Sequence, residues 1–153
     1  TTEEFFNIPG YNLYCKSRTE KTGGGVALYI CTNVAYKPIT NLHNLKHNSF
    51  EYALLELETS NLTKILVGVV YRPPSGSLLE FNDDYGALLE NIDKLKYKTY
   101  ITGDFNINLL NHESHPETQQ FLDEIFSHYH YPTITRPTRF SNATSTLIDN
   151  IIY

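Results

Sequence analysis

Three consecutive stretches constrain this chain more than any other feature: KILVGVVY at 64–71, an amphipathic run from Ser77 to Lys96, and YKTYITGDFNIN at 97–108. The first is nearly continuous Val, Leu and Ile, the signature of a strand covered on both faces, and Pro73 and Pro74 end it because proline cannot donate to a sheet ladder. In the second, Ser77 and Glu80 have capping-box spacing, and Phe81, Tyr85, Leu88, Ile92 and Leu95 recur at intervals of four and three. That pattern predicts a helix with one apolar stripe. Gly86 weakens it by about 1 kcal/mol relative to Ala without breaking it. A strand, a helix and a strand in that order predict a right-handed crossover and parallel pairing of the two strands. Tyr71 and the polar tip Gly103, Asp104, Asn106 then fall at the same end of one sheet, where ligand sites of layered α/β proteins sit.

The tip is open to two readings. Gly-Asp and Asn after a strand are ordinary turn chemistry. If the backbone stays extended, period two instead presents the Asp104 carboxylate and the Asn106 amide on one face. With Tyr71 beside them, a phenol that donates to a phosphate oxygen, a carboxylate that takes a proton from water and an amide that holds both form a hydrolytic set. Asp149 raises a related question, because a carboxylate within the apolar run LIDNIIY must lie on an edge, meet an arginine, or orient a catalytic group.

The remaining sequence supplies the surrounding layers. YNLYCK at 11–16 and VALYIC at 26–31 read as strands joined in an antiparallel hairpin through the partly basic loop SRTEKTGGG. The triple glycine is not a phosphate-cradling loop, since it opens a strand and no Lys-Ser/Thr follows it. FEYALLELE at 50–58 reads as a further strand. A second helix is expected from Pro116 to Tyr129, with Phe121, Leu122, Ile125, Phe126 and Tyr129 on its buried face. Leu147 to Tyr153 reads as a final strand. No repeat or low-complexity segment suggests a second domain, so residues 1–153 are taken as one.

Composition narrows the function classes. With 153 residues, 41% of them hydrophobic, the chain can bury a core, and no apolar stretch approaches membrane-spanning length. A formal net charge of -5 argues against whole-surface attraction to nucleic acid, though not against a site whose carboxylates hold a divalent cation. Cys15 and Cys31 are expected to be reduced and packed in a non-secreted, intracellular protein, with proximity possible only across the hairpin. His112, His115, His128 and His130 lack the spacing of a metal site and are expected to be solvated. The chain has no Met, begins on Thr1 and ends on Ile151, Ile152 and Tyr153, so a domain truncated at both ends is expected.

The ordered set GGGVALYI, VVYRPP, helix, TYITGDFNIN and ITRPTRFSNATSTLIDNIIY resembles the endonuclease/exonuclease/phosphatase superfamily. Within it, the chain is most similar to the apurinic-endonuclease-like endonuclease domain of non-LTR retrotransposons. The resemblance implies an α/β fold, a four-layer sandwich of two mixed sheets face to face with outer helices. It implies Mg²⁺- or Mn²⁺-dependent phosphodiester hydrolysis that nicks DNA, with a reverse transcriptase in the same parent polypeptide and no membrane partner. Tyr71 would contact the scissile phosphate, Asp104 would position or deprotonate the attacking water and is the candidate metal contact, and Asn106 would hold Asp104 and a phosphate oxygen. Asp149 would orient a catalytic His, and Arg72 and Thr138 would contact substrate. The metal-binding Glu and the catalytic His of the resemblance match nothing in this sequence, so the chain alone is expected to have little or no nuclease activity. A non-catalytic binding module of the same fold, or a phosphatase of the same superfamily, is the alternative.

Overall fold

A computed structural model describes residues 6–17, 24–42, 49–141 and 143–153. Among the described residues, nine strands and two helices follow in the order β1 (Tyr11–Ser17), β2 (Gly25–Cys31), β3 (Tyr36–Pro38), β4 (Glu51–Glu58), β5 (Lys64–Tyr71), α1 (Leu78–Leu95), β6 (Lys98–Asp104), α2 (Pro116–Ser127), β7 (Arg139–Phe140), β8 (Ser145–Thr146) and β9 (Asp149–Ile152). A single 3-10 turn, Leu109–Asn111, lies between β6 and α2. Most of the loop expected between the first two strands falls on 18–23, outside the described residues.

A mixed five-stranded sheet of order β3-β4-β5-β6-β9 organises the molecule. β5 and β6 are parallel neighbours joined by α1, as the strand-helix-strand pattern predicts, and β4 and β9 flank them antiparallel. On one face of this sheet Leu54, Leu66, Val70 and Ile101 meet the α1 stripe Phe81, Tyr85, Leu88 and Ile92 in one continuous core. α2 adds Phe121, Leu122 and Ile125 to it. Aromatic rings form its centre: Phe81 and Tyr85 are stacked 5.3 Å apart, and Phe105 and Phe121 lie 5.9 and 5.7 Å from Tyr85. The other face is covered in part by the β1–β2 hairpin. The chain thus forms an α/β sandwich of helices, a mixed sheet and a second sheet.

The N-terminus of α1 forms as its capping pattern requires, with the Ser77 hydroxyl accepting from the Glu80 N–H at 3.3 Å. A Cβ at Gly86 would stand 2.3 Å from the Glu124 carboxylate, the end of a side chain on α2 that can swing aside. Other expectations are corrected. α2 ends at Ser127, and Tyr129 leaves the buried face for a left-handed turn (φ 59°) where it is 83% exposed. Cys15 and Cys31 are both exposed rather than packed, and the hairpin register pairs them with Ala27 and Tyr11, not with each other. His128 and His130 are not solvated. His128 Nδ1 lies 2.5 Å from an Asp93 carboxylate oxygen, and His130 is buried at the same helix junction. None of the described helices is long and apolar enough to cross a membrane.

Candidate functional site

β5, β6 and β9 end level with one another, and their last or first residues form a row. Tyr71 pairs with Asp104 across the parallel ladder, and Asp104 pairs with Asp149 across the antiparallel one. β4 extends the row by one, since Glu51 pairs with Tyr71. Residues directly opposite one another in a ladder project to the same face, so four functional groups share one rim. All four are half-buried, and they face the side of the sheet that carries the hairpin rather than the helices. Glu51 has no motif of its own in the sequence, and only the strand register brings it to this row.

Gly103 makes the row possible. A Cβ at this position would lie 1.8 Å from the Val70 carbonyl oxygen of β5, inside covalent-clash range of backbone that cannot swing aside. A residue with a side chain here would push β6 away from β5 and separate Asp104 from Tyr71.

Beyond Asp104 the backbone does not stay extended. Asn106 takes a left-handed conformation, with φ 49°, so simple alternation does not relate it to Asp104. A hydrogen-bonded lock relates them instead. The Asn106 N–H donates to Asp104 Oδ1 at 3.0 Å, and its side-chain Nδ2 donates to the Arg72 carbonyl at 2.7 Å. Arg72 reciprocates, Nη1 donating to the Asn106 carbonyl at 3.1 Å and Nη2 to the Gly76 carbonyl at 2.6 Å. Arg72 is only 4% exposed and its guanidinium sits over the Phe81 ring, so what it does here is hold the tip in place from beneath. Asparagine tolerates the left-handed region better than most residues, which is why the motif carries it. Asn106→Ala is therefore expected to lose both the favourable backbone and the Arg72 bond, about 2–3 kcal/mol together. Asn106→Gly keeps the backbone and is expected to lose about 1 kcal/mol. Chemical denaturation of the two variants checks this, and equal losses would show that the backbone conformation contributes nothing.

Asp149 is positioned by the tail. The Thr138 hydroxyl accepts from the N–H groups of Ile148 and Asp149 at 3.3 and 3.2 Å. Asn150, fully buried, accepts from the Thr133 and Ile134 N–H groups and donates to the Ile134 carbonyl, which fastens that segment to β9. Asn108 closes the far side of the tip, accepting from the N–H groups of Leu110 and Leu147. Neither Asn108 nor Asn150 stands out in the sequence, where short polar residues next to loops are common; their partners lie 39 and 16 residues away.

The electrostatics suit a carboxylate that handles protons. Burial pushes the Asp104 carboxyl above its ordinary range, the Asn106 N–H partly opposes this, and the Asp149 charge adds to the rise. Arg139, on β7, acts in the opposite sense. Two adjacent carboxylates that repel each other fit a divalent cation. Among the described residues no group of three or more His, Cys, Asp or Glu side chains is placed to hold one. Mg²⁺ suits the smaller set, since it binds through one or two carboxylates and completes its shell with water and phosphate oxygens.

Comparison with known proteins bears on the family and the fold. A family model described as Endonuclease/Exonuclease/phosphatase family matches residues 2–153. Among solved structures, the endonuclease domain of TRAS1, a telomere-specific non-LTR retrotransposon, superposes with TM-score 0.65 at 14% identity, covering 95% of this chain and 65% of that one. The human Nocturnin catalytic domain superposes with TM-score 0.67 at 17% identity, covering 100% of this chain and 64% of that one. A family protein from Bacteroides thetaiotaomicron gives TM-score 0.61 at 13% identity, covering 94% and 60%. The chain thus spans less than two thirds of the length of each. No curated protein matches the sequence.

Proposed function

Because this chain belongs to the endonuclease/exonuclease/phosphatase family, we propose that it carries the centre of a divalent-metal-dependent phosphodiesterase site, of the kind that nicks DNA for a non-LTR retroelement. The observation that supports this reading is the level row Tyr71, Asp104, Asp149 at the strand ends, with Asn106 locked against Asp104. In it, Asp104 positions the attacking water and accepts its proton. Asn106 fixes the orientation of that carboxylate through its N–H. The Tyr71 hydroxyl donates to a phosphate oxygen, and Glu51 stands beside it in the row. Asp104 and Asp149 would hold Mg²⁺ or Mn²⁺, which supplies positive charge for the phosphate oxygens. Thr138 acts through Asp149, whose backbone it anchors, and Arg72 acts through Asn106. DNA as substrate and a reverse transcriptase in the parent polypeptide belong to the same proposal.

A nucleic-acid-binding module without catalysis is the second reading, favoured by the small number of metal-ligating side chains among the described residues. The two part in one assay. Supercoiled plasmid incubated with the polypeptide that bears this domain is expected to be converted to open circles in Mg²⁺, with the conversion stopped by EDTA and restored by excess Mg²⁺. Plasmid binding without nicking in either Mg²⁺ or Mn²⁺ would overturn the first reading in favour of the second.

A further inference from the structure

After α2 the chain turns and runs along the outer edge of β9. Tyr129 makes the turn, and the His130 N–H donates back to the Ile125 carbonyl of the helix at 2.9 Å. The Tyr131 N–H then donates to the Tyr153 carbonyl at 2.8 Å, and the Thr133 N–H to the Ile151 carbonyl at 2.9 Å. The Asn150 side chain fastens the same segment through Thr133 and Ile134, one residue from Asp149. Residues 131–134 thus close the edge of β9, and His130 stands at their root. Its ring is buried among groups that suit only the neutral imidazole. Nδ1 has no hydrogen-bond partner, and Nε2 is 3.9 Å from Asp93 Oδ1, too far for a hydrogen bond. Asp93 is also already engaged, since His128 Nδ1 donates to its Oδ2 at 2.5 Å. The other face of the His128 ring turns to α2, with Nε2 3.4 Å from Glu124 Oε1. The charges that act on His130 among the described residues are therefore Asp93 of α1 and His128, with Glu124 of α2 one ring away; Asp149, the charged residue of β9, is not one of them. A second proton would bury a cation whose Nδ1–H has no acceptor and whose nearest carboxylate is shared. Burial accordingly lowers the affinity of His130 for that proton, the Asp93 charge partly opposes this, and His128 adds to the lowering.

We infer that His130 is a pH-sensitive latch: neutral, it keeps residues 131–134 closed against the edge of β9, and protonated, it releases them. Release lets the charged ring reach water, at the loss of the Tyr131 and Thr133 bonds to β9. It also frees the Asn150 side chain, so the proton loosens the strand that carries Asp149 to the rim. The latch is separate from the Asp104 row, and its existence does not depend on the nuclease reading.

The test is amide hydrogen exchange of the ¹⁵N-labelled chain from about pH 8 to about pH 5, the range in which histidines titrate, with the intrinsic pH dependence of exchange divided out. The folded state disfavours the proton on His130, so the stabilising contribution of the neutral ring is full above the ordinary value of 6.5 and is lost as pH falls through the lower folded value. Protection of the Tyr131 and Thr133 amides is therefore expected to be constant above 6.5, to fall by about threefold or more below it, and to level off once the His130 ring, followed by its own ¹⁵N resonances, has titrated. The amides of Leu66 and Ile101, in the central strands, should keep their protection. His130→Phe, which fills the space without titrating, and His130→Gln, which keeps a polar group there, should each remove the pH dependence at Tyr131 and Thr133. Flat protection in the parent, a His130 ring that titrates at or above 6.5, an equal loss at Leu66 and Ile101, or an undiminished loss in a folded variant would each overturn the inference. The parent measurements decide the matter even where neither variant folds.

Discussion

Gly103→Ala is expected to destabilise the fold by about 4 kcal/mol, a large share of the stability of a small domain. The reason is steric. The added methyl would sit 1.8 Å from the Val70 oxygen, 2.8 Å from its carbon and 3.0 Å from its nitrogen, all backbone atoms of the neighbouring central strand. Relief requires β5 and β6 to separate, with loss of ladder bonds at the point where Tyr71 and Asp104 meet. Gly68 in β5 provides the control. A Cβ there meets the Leu54 Cδ2 at 2.6 Å, the end of a side chain that can rotate, so Gly68→Ala is expected to cost about 1–3 kcal/mol. Urea denaturation of both variants measures the difference. A Gly103→Ala protein within about 1 kcal/mol of the parent would mean that the strands are not held at this spacing.

Asp104→Asn is expected to separate activity from stability. If Asp104 takes the proton from water, the amide should lower the rate of nicking by about 10²–10⁴-fold. Stability should move the other way at neutral pH. The folded state raises the affinity of the Asp104 carboxyl for its proton, so the stabilising contribution belongs to the protonated form. That contribution is fully present below the ordinary value of 3.8 and is lost as pH rises through the higher folded value. At neutral pH the ionised group therefore works against folding, and the uncharged amide removes the penalty while still accepting the Asn106 N–H. Thermal melts should show the variant above the parent at pH 7, with the gap closing as pH falls toward the ordinary carboxylate range. A variant less stable than the parent at pH 7 would show that the carboxylate charge is favourably paired in the folded protein.

Much of this arrangement is legible in the sequence because periodicity and punctuation encode it. The Val-rich run with its double proline, the Ser77 cap and the apolar stripe of α1 require a covered parallel pair, and from that pair follows the meeting of Tyr71 with Asp104. Asp149 was open between an edge, an arginine partner and a functional role, and the register with Asp104 places it at the rim. What the sequence did not disclose depends on long-range contacts. Glu51 joins the row only through strand register, and Asn108 and Asn150 act through backbone groups distant in sequence. The left-handed turn at Asn106 replaced the extended tip that period two suggests, and it converted two neighbouring side chains into a hydrogen-bonded pair. The histidines show the same limit. His128 and His130 carry no motif, yet Asp93 of α1 draws them into the junction with α2.

The level carboxylates Asp104 and Asp149 are the proposed divalent-cation site at the strand ends. Paramagnetic broadening by Mn²⁺, added substoichiometrically to the ¹⁵N-labelled chain, tests it without any need for activity. The amides of Gly103 to Phe105 and of Asp149 and Asn150 are expected to broaden first, and Asp104→Asn and Asp149→Asn should each suppress the effect. Broadening centred instead on the Asp93, Glu124 and His128 cluster, or spread evenly over the acidic surface, would contradict the account.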